Sequence, residues 1–422
     1  MKIKPISILT AIITGIALTF SAVEAQADIS ESAGFAVESE RAFSVLAPYD
    51  KNYVQISWNT SERENCGVPI VDGESVLLPS GHTITRLSEK NGEVLGTAEF
   101  TEKVSENCKG AIIGKTIVQP ARTSIFTVDS ETMSVKNSRK FGEITTDVGV
   151  LDNHVYFGVK TDSAYKFICA ELDSLDTVWE YDSEKPVTSP ALLNGQVIFG
   201  AGKNLVSATE SARVENPVGA EITHVFAGKY AVFMSCADGN LRKLRLAEDG
   251  KTEPDSLMEC KLGGELSAPA EYENRVYVGS SEGFFVLDGL NMEVAKEFPE
   301  MKNSSAPVIC YGGGQRAYTA APHADPNGNR WYLYAVLDND DGISAGEIAK
   351  IIDFTDGKTA ISERGVMYFR DASGQLWAIA VSETNVLMII TKIVLTLAII
   401  VMALLIIRAW VKRHTAKQPP QY

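Results

Sequence analysis

The chain of 422 residues combines 45% hydrophobic residues with a formal net charge of −15. The hydrophobic content is enough for a large packed core. The negative charge argues against nucleic acid as a partner, because a phosphate backbone calls for a basic surface. The acidic residues are concentrated in the middle of the chain, between two basic ends, as expected for an exported domain with membrane-inserting ends.

The N-terminal residues are typical of a secretory signal peptide. Lys2 and Lys4 precede an apolar stretch, and Ala25-Gln-Ala supplies the small residues of a cleavage site. We therefore predict a signal peptide at residues 1–27, followed by a linker at 28–52. An uncleaved N-terminal helix is the alternative interpretation.

The middle of the chain consists of short runs in which apolar and polar residues alternate, separated by Gly, Asn and Asp. This pattern is typical of β-strands joined by tight turns. A unit of at least three such strands recurs about every 40 residues. The first turn of each of the eight units is predicted near Gly73, Gly114, Asn153, Gly195, Gly228, Asn274, Gly314 and Gly365. A fourth strand is predicted in five units, at 96–100, 177–181, 257–261, 294–298 and 349–353.

Four-stranded units with this period predict an all-β fold, an eight-bladed β-propeller at residues 53–382. Seven blades are the alternative, because the fourth unit is short and the seventh is long. A series of β-sandwich domains is disfavoured, since each sandwich needs about seven strands in roughly 100 residues. The last unit lacks a fourth strand, and the run at 53–58 has no partner of its own. We predict that this run completes the last blade, which removes free sheet edges.

The repeat resembles a known family. Its best copies are Ala268-Pro-Ala followed by Val276-Tyr-Val-Gly-Ser, and Ser189-Pro-Ala in an earlier unit. They are similar to the repeat of pyrroloquinoline-quinone (PQQ)-type propellers, over roughly residues 53–382. The resemblance implies the propeller fold, and it implies either quinone-dependent oxidation or a non-catalytic scaffold.

The enzymes of this family hold the quinone between a tryptophan and a disulfide of adjacent cysteines, beside a calcium ion. This chain has no adjacent cysteines. The resemblance is therefore to the non-catalytic branch, which is similar to the propeller lipoprotein of the outer-membrane assembly machine. We expect no enzyme activity, and we predict no catalytic residue, no cofactor and no metal site.

Two of the six cysteines occupy matching places in consecutive units. Cys66 lies in Glu64-Asn-Cys-Gly, and Cys108 lies in Glu106-Asn-Cys-Lys. Export permits disulfides, and equivalent points on adjacent blades lie side by side. We therefore predict a Cys66–Cys108 disulfide. Two small buried residues in matching positions are the alternative.

The seventh unit contains an unusually polar turn. Residues 322–330 read Pro-His-Ala-Asp-Pro-Asn-Gly-Asn-Arg, which predicts a long hairpin tip. Such tips are places where propellers often bind partners, although a plain loop is the alternative interpretation.

The C-terminal region predicts a membrane helix at 386–409. Its first 22 residues contain Lys392 as their only charged residue, and about 20 apolar residues at 1.5 Å each cross a bilayer core of about 30 Å. Arg408, Lys412 and other basic residues follow, so the positive-inside rule places the tail at 410–422 in the cytoplasm. A buried core helix is the alternative.

Together these features predict a single-pass protein of the cell membrane, with its propeller outside the cytoplasm, either periplasmic or extracellular. The expected function is that of a protein-binding scaffold or envelope assembly module. Its partners would be other envelope or membrane proteins, reached through the membrane anchor. The alternative is a ligand-binding or quinoprotein-type oxidoreductase propeller with a site in the central channel. That alternative predicts a channel lined by convergent polar and charged side chains.

Overall fold

A computed structural model describes most of the repeat region and a few helical residues near the C-terminus. The described residues are 54–61, 66–209, 211–311, 315–325, 328–351, 359–362, 364–371, 373–381, 394–396, 401, 402, 405 and 408. Within them, 33 β-strands form eight antiparallel sheets.

Each sheet is one blade, and its strands follow one another from the centre of the ring to the rim. The first strand of the chain, β1 (Val54–Asn59), belongs to the last blade. In blade 3, two short segments, β10 and β11, both pair with β12. The strands of the first four blades are β2 Ile70–Asp72, β3 Ser75–Ser80, β4 Thr83–Ser88 and β5 Val94–Glu99 in blade 1; β6 Ala111–Ile113, β7 Thr116–Pro120, β8 Ser124–Asp129 and β9 Ser134–Lys140 in blade 2; β10 Glu143–Ile144, β11 Gly149–Leu151, β12 His154–Lys160, β13 Tyr165–Glu171 and β14 Thr177–Ser183 in blade 3; and β15 Ala191–Leu193, β16 Gln196–Ala201, β17 Asn204–Ala208 and β18 Arg213–Pro217 in blade 4.

The second half of the ring repeats the same order. Its strands are β19 Ile222–Ala227, β20 Val232–Cys236, β21 Asn240–Leu244 and β22 Met258–Lys261 in blade 5; β23 Ala270–Tyr272, β24 Arg275–Gly279, β25 Phe284–Asp288 and β26 Val294–Phe298 in blade 6; β27 Val308–Tyr311, β28 Gln315–Asp325, β29 Gly328–Asn339 and β30 Gly342–Ile351 in blade 7; and β31 Ala360–Ile361, β32 Met367–Arg370, β33 Leu376–Val381 and β1 in blade 8. We call upper the face that carries the turns between second and third strands and the connections between blades. The opposite face is the lower face.

The ring is closed by exchange of a strand between the two ends of the propeller. β1 pairs antiparallel with β33, from Val54 opposite Val381 to Asn59 opposite Trp377. The innermost strands of neighbouring blades contact one another, and β31 of blade 8 contacts β2 of blade 1. The prediction of eight four-stranded blades is confirmed, the alternative of seven is wrong, and the front strand completes the last blade as predicted.

Polar contacts reinforce the seam between blades 8 and 1. The indole N–H of Trp58 in β1 donates to the carbonyl oxygen of Glu89, 2.7 Å away, in blade 1. The guanidinium of Arg364 in blade 8 pairs with Glu74, and it lies 3.5 Å from the buried carboxylate of Glu89. The last blade is therefore held to the first by side chains as well as by the exchanged strand.

The hydrophobic core lies between the blades. Each group of buried apolar side chains joins neighbouring sheets; for example, Tyr277 and Phe284 of blade 6 pack with Ala317 and Val336 of blade 7. Burying one such large side chain contributes about 1.5–3 kcal/mol. Each sheet is therefore apolar on both faces, except at its outermost strand.

A repeated hydroxyl contact explains the small residues that precede each first strand. In four blades, a Ser or Thr accepts a hydrogen bond from a backbone N–H of the second strand, at 2.7–3.0 Å. The pairs are Thr146 with Gly158, Thr188 with Gly200, Ser267 with Gly279, and Ser305 with Ala320. The hydroxyl ties the entry of each of these blades to its second strand.

The glycine of this contact is required by the approach of the next blade. A Cβ atom at Gly279 would lie 2.5 Å from the carbonyl oxygen of Ser304, in the connection to blade 7. A Cβ at Gly200 would lie 2.8 Å from Cγ2 of Ile222 in blade 5. The Gly of the Val-Tyr-Val-Gly run is therefore needed for close packing between blades.

The turns predicted between first and second strands are formed by the expected residues. Asn194 and Gly195 have φ angles of 52° and 73°, and Glu273 and Asn274 have 48° and 62°. Positive φ at both central residues defines the type I′ turn, which suits the twist of a hairpin. The turn predicted at Gly314 lies outside the described residues.

The signal peptide at 1–27, the linker at 28–52 and the tail at 410–422 lie outside the described residues, as does most of the segment at 386–409. In the part of the chain that the structure describes, no helix is long and apolar enough to cross a membrane.

We expect Gly279→Ala to lower the free energy of unfolding by about 1–3 kcal/mol, because the added methyl group meets backbone of the next blade. The matched control is Ala320→Gly, which makes blade 7 like blade 6 at the same position and should cost only about 0.5–1 kcal/mol. Thermal or urea unfolding measures both. Equal losses in the two variants would contradict the explanation.

Candidate protein-binding surface

The innermost strands, which surround the central channel, carry mainly buried apolar residues. Among those described are Ile70, Ala111, Ile112, Val150, Ala191, Leu193, Ile222, Ala270, Ile309, Ala360 and Ile361. These side chains belong to the hydrophobic clusters that join neighbouring blades.

In two of the innermost strands, β23 and β2, a carboxylate has a local partner. Glu271 is 5% exposed and accepts the backbone N–H groups of Asn274 at 2.7 Å and Lys229 at 3.3 Å. Burial raises the pKa of Glu271 above its ordinary value. Asp72 lies 3.5 Å from the guanidinium of Arg86. Both carboxylates therefore stabilise the turns and strands around them.

No metal site is apparent in the residues that the structure describes, since no three His, Cys, Asp or Glu side chains in them come close enough to hold an ion.

A row of acidic side chains crosses the upper face of blades 5 and 6. We call it the acidic arc: Glu221, Asp238, Glu265, Glu282 and Glu300. Asp238 and Glu282 lie in turns between second and third strands, and the other three lie in connections between blades. Four of the five are exposed. Basic residues beside the arc are fewer, with Lys302 lying 3.9 Å from Glu282.

Backbone hydrogen bonds hold the loops of the arc against one another. The N–H of Ala237 donates to the carbonyl of Glu221 at 2.9 Å, and the N–H of Ser281 donates to the carbonyl of Glu265 at 3.0 Å. The same kind of bond joins Asn303 to Ser280 at 2.8 Å. The acidic side chains therefore project from a rigid surface.

A buried arginine orients the acid at the centre of the arc. Arg242 of β21 donates two parallel hydrogen bonds to the carboxylate of Asp238, at 3.0 and 2.7 Å. It also lies 3.0 Å from the carboxylate of Glu259 in β22. The hydrogen bond from Arg242 lowers the pKa of Asp238 to about 2, helped by the backbone N–H of Asn240. Asp238 is therefore ionised at every physiological pH.

The long hairpin of blade 7, β28 and β29, rises from the upper face next to the arc. Its strands have 11 and 12 residues, whereas the second strands of the other blades have four to seven. They are paired as far as Asp325 opposite Gly328. β28 continues five residues beyond Ala320, the position equivalent to Gly279 at the end of β24, which is roughly 17 Å at 3.3 Å per residue. The prediction of a long hairpin at 322–330 agrees with this geometry.

Aromatic residues at the base of the hairpin connect it to the arc. Trp331 and Tyr332 are half-buried and pack on opposite sides of the sheet, toward blades 8 and 6 respectively. The ring of Tyr332 lies 6.4 Å from the ring of Tyr334. Burial, helped by the nearby carboxylates of Glu347 and Glu300, raises the pKa of Tyr334 to about 12. Glu300 thus places the end of the arc beside the hairpin.

The structure does not show the disulfide predicted between Cys66 and Cys108. Both side chains are buried. Cys66 packs between blades 8 and 1, against residues such as Tyr368. Cys108 packs between blades 2 and 3, where its Sγ lies 3.6 Å from the carbonyl oxygen of Ile144. The two thiols point into different gaps between blades, which favours the alternative of small buried residues in matching positions.

Solved structures with the same architecture include proteins of different kinds. BamB from Moraxella catarrhalis has a TM-score of 0.59 at 14% identity, over 78% of this chain and 99% of that one. Quinohemoprotein alcohol dehydrogenase from Comamonas testosteroni has a TM-score of 0.56 at 9% identity, over 85% and 81%. Sqt1 from Saccharomyces cerevisiae has a TM-score of 0.56 at 10% identity, over 80% and 99%.

At these identities the likeness concerns the fold. It confirms the interpretation of the repeats, because the chain shares its fold with BamB and with a quinohemoprotein alcohol dehydrogenase. No protein-family model and no curated protein sequence matches the chain.

The ion pair between Arg242 and Asp238 predicts how the stability of the protein depends on pH. Because the pKa of Asp238 is lowered on folding, its contribution to stability is present above about pH 4 and is lost as pH falls toward 2. At pH 7, Asp238→Asn should cost about 1 kcal/mol, since the half-exposed pair is screened by water.

Thermal unfolding from pH 7 to pH 2 tests this. The difference in melting temperature between the native protein and Asp238→Asn should shrink below about pH 4. Glu265→Gln, an exposed member of the same arc, is the control and should leave the acid dependence unchanged. If the melting temperature of Asp238→Asn differs from that of the native protein by the same amount at every pH, the role of the ion pair is contradicted.

Proposed function

We propose that this protein is a non-enzymatic scaffold that binds a protein partner on its upper face, through the long hairpin and the acidic arc beside it. The observation that carries the proposal is the hairpin of β28 and β29, which is paired to its tip and protrudes from an otherwise even ring. A rigid protruding strand pair with aromatic residues at its base offers both the shape and the side chains that protein interfaces use.

Charge indicates the kind of partner. The acidic arc lies on a chain with a net charge of −15, so a partner with a basic surface is attracted over a distance and oriented before contact. Tyr and Trp residues beside the charges supply the apolar contact that slows dissociation. The partner surface should therefore combine basic residues with an apolar cleft that accepts the hairpin.

The proposal extends to location. The signal-peptide pattern at 1–27 and the apolar segment at 386–409 support a single-pass protein of the cell membrane, with the propeller outside the cytoplasm. Other envelope or membrane proteins would then be the partners within reach. Assembly of the envelope is a role that suits such a scaffold.

The alternative is a ligand-binding or oxidoreductase site in the central channel. The fold shared with a quinohemoprotein alcohol dehydrogenase supports it. The apolar innermost strands and the locally engaged Asp72 and Glu271 count against it. Binding on the upper face accounts for more of the observed features.

The partner site can be tested by shortening the hairpin. Residues 323–330 are replaced by Asn-Gly, a two-residue turn that fits between the opposed Pro322 and Trp331. Chemical crosslinking in intact cells, followed by purification, should recover the partner at least ten times less well than with the native chain. The melting temperature should not change, because the propeller body is left intact.

Charge reversal in the arc provides the matched comparison. Glu265→Lys together with Glu282→Lys should weaken capture of the same partner and reduce its dependence on salt. Glu293→Lys, an exposed reversal on the lower face of blade 6, should have no effect. Undiminished capture by both the shortened hairpin and the arc variant would refute the proposed surface.

Location has its own test. The mature protein should begin at Asp28, as read by N-terminal sequencing, and protease added outside intact cells or spheroplasts should digest the propeller but spare the C-terminal tail. A mature chain that retains residues 1–27, with a propeller protected from outside protease, would exclude export.

A further inference from the structure

The outermost strand of each blade has one edge that faces away from the ring. Such edges attract other strands, and proteins commonly protect them with charged residues. Of the eight outer strands that the structure describes, six carry two or more charged residues: β9, β14, β18, β22, β26 and β30. β1 carries none, and β5 carries only Glu99, at its end. The edges of β1 and β5 therefore lack this protection.

The two unprotected strands lie in neighbouring blades, 8 and 1, beside the seam of the ring. Ile56 of β1 and Val94 and Leu95 of β5 are each 56% exposed. The turn that leads into β5 packs on β1, because a Cβ atom at Gly92 would lie 2.7 Å from the ring of Trp58. We call this surface of Ile56, Val94 and Leu95 the seam patch. Other outer strands expose single aliphatic residues next to charges.

β5 is available for pairing on its outer side. It is the last strand in the order β2-β3-β4-β5, so its inner edge pairs with β4 and no other described strand pairs with its outer edge. One face of β5 is covered, since a Cβ atom at Gly96 would lie 2.8 Å from the side chain of Met133 in blade 2. The other face, with Leu95, Thr97 and Glu99, is exposed.

We propose that β5 pairs with β5 of a second copy of this chain, antiparallel across a two-fold axis at Thr97. In this register, Thr97 faces Thr97 and Leu95 faces Glu99, so no like charges are opposed. The same symmetric pairing of β14 would oppose two copies of Glu180, and that of β26 would oppose two copies of Lys296. Like charges directly opposite destabilise a strand pair.

The net charge of the chain also favours this part of the rim for contact between two copies. Two copies that each carry −15 repel one another, and the seam patch is a part of the rim where they can meet without opposing charges. A two-fold pair closes on itself, so association stops at the dimer. The long hairpin lies in blade 7, separated from β5 by blade 8, and each copy keeps its own partner site.

Disulfide trapping of the full-length chain in its membrane tests the proposal. Because residues directly opposite in an antiparallel pair have Cβ atoms about 4.5–5.5 Å apart, Thr97→Cys should form a covalent dimer on mild oxidation. Lys296→Cys, at the centre of the outer strand of blade 6, is the matched control and should stay monomeric. The native chain, oxidised in the same way, gives the background yield of covalent dimer. This yield should be low, since its described cysteines are buried or half-buried.

A charge variant gives an independent measurement. Leu95→Glu should weaken self-association at least tenfold in sedimentation equilibrium, because in this register the new carboxylate faces Glu99 of the second copy and like charges directly opposite destabilise a strand pair. The melting temperature should not change, because the side chain of Leu95 is exposed. A Thr97→Cys thiol that reacts with maleimide but yields only monomer would overturn the proposal. Equal dimer yields from Thr97→Cys and Lys296→Cys, or crosslinking of Thr97→Cys to a different protein, would also overturn it. Loss of partner binding in the hairpin variant has no bearing on either result.

Discussion

The structure depends on the closure of the ring by β1. Every blade buries apolar side chains on both faces, and among the described residues it is the neighbouring blades that cover them. An open row of blades would leave two large apolar faces and a three-stranded final sheet exposed to water. Pairing of β1 with β33 completes that sheet, and Trp58 and Arg364 then bind it to Glu89 of the first blade. Stability of the whole ring therefore rests on the pairing of β1 with β33, whose residues lie more than 300 positions apart in the chain.

Most of the fold could be predicted because its signals are local and repeat. Turn residues such as Gly195 and Asn274 mark the hairpins, and the spacing between them gives the number of blades. The sequence pattern missed the outer strands β9 and β18. These strands face solvent on much of their surface, so the apolar alternation that reveals a strand is absent from runs such as Ser134–Lys140.

The candidate site was only partly predictable. The polar run at 322–330 indicated a long hairpin, but the acidic arc is assembled from acids spread between Glu221 and Glu300, which only the fold brings together. The pairing of Arg242 with Asp238 has a local signal in the sequence, an Asp-Gly turn followed by an arginine. Glu259, in contrast, comes close to Arg242 only through the register of two neighbouring strands. Cys66 and Cys108 occupy matching places in the sequence repeat. The spacing of residues does not reveal, however, into which gap between blades each side chain points.

The direction of the strands gives the ring a polarity with respect to its ends. β33 runs from the upper face to the lower face and ends at Val381, opposite Val54 where β1 begins. β28 runs the other way and ends at Asp325 on the upper face. The described propeller therefore begins and ends at its lower side, while the hairpin stands on the upper side. If the proposed anchor follows Val381, it would tether the disc by its lower side, and the long hairpin and the acidic arc would face away from the bilayer.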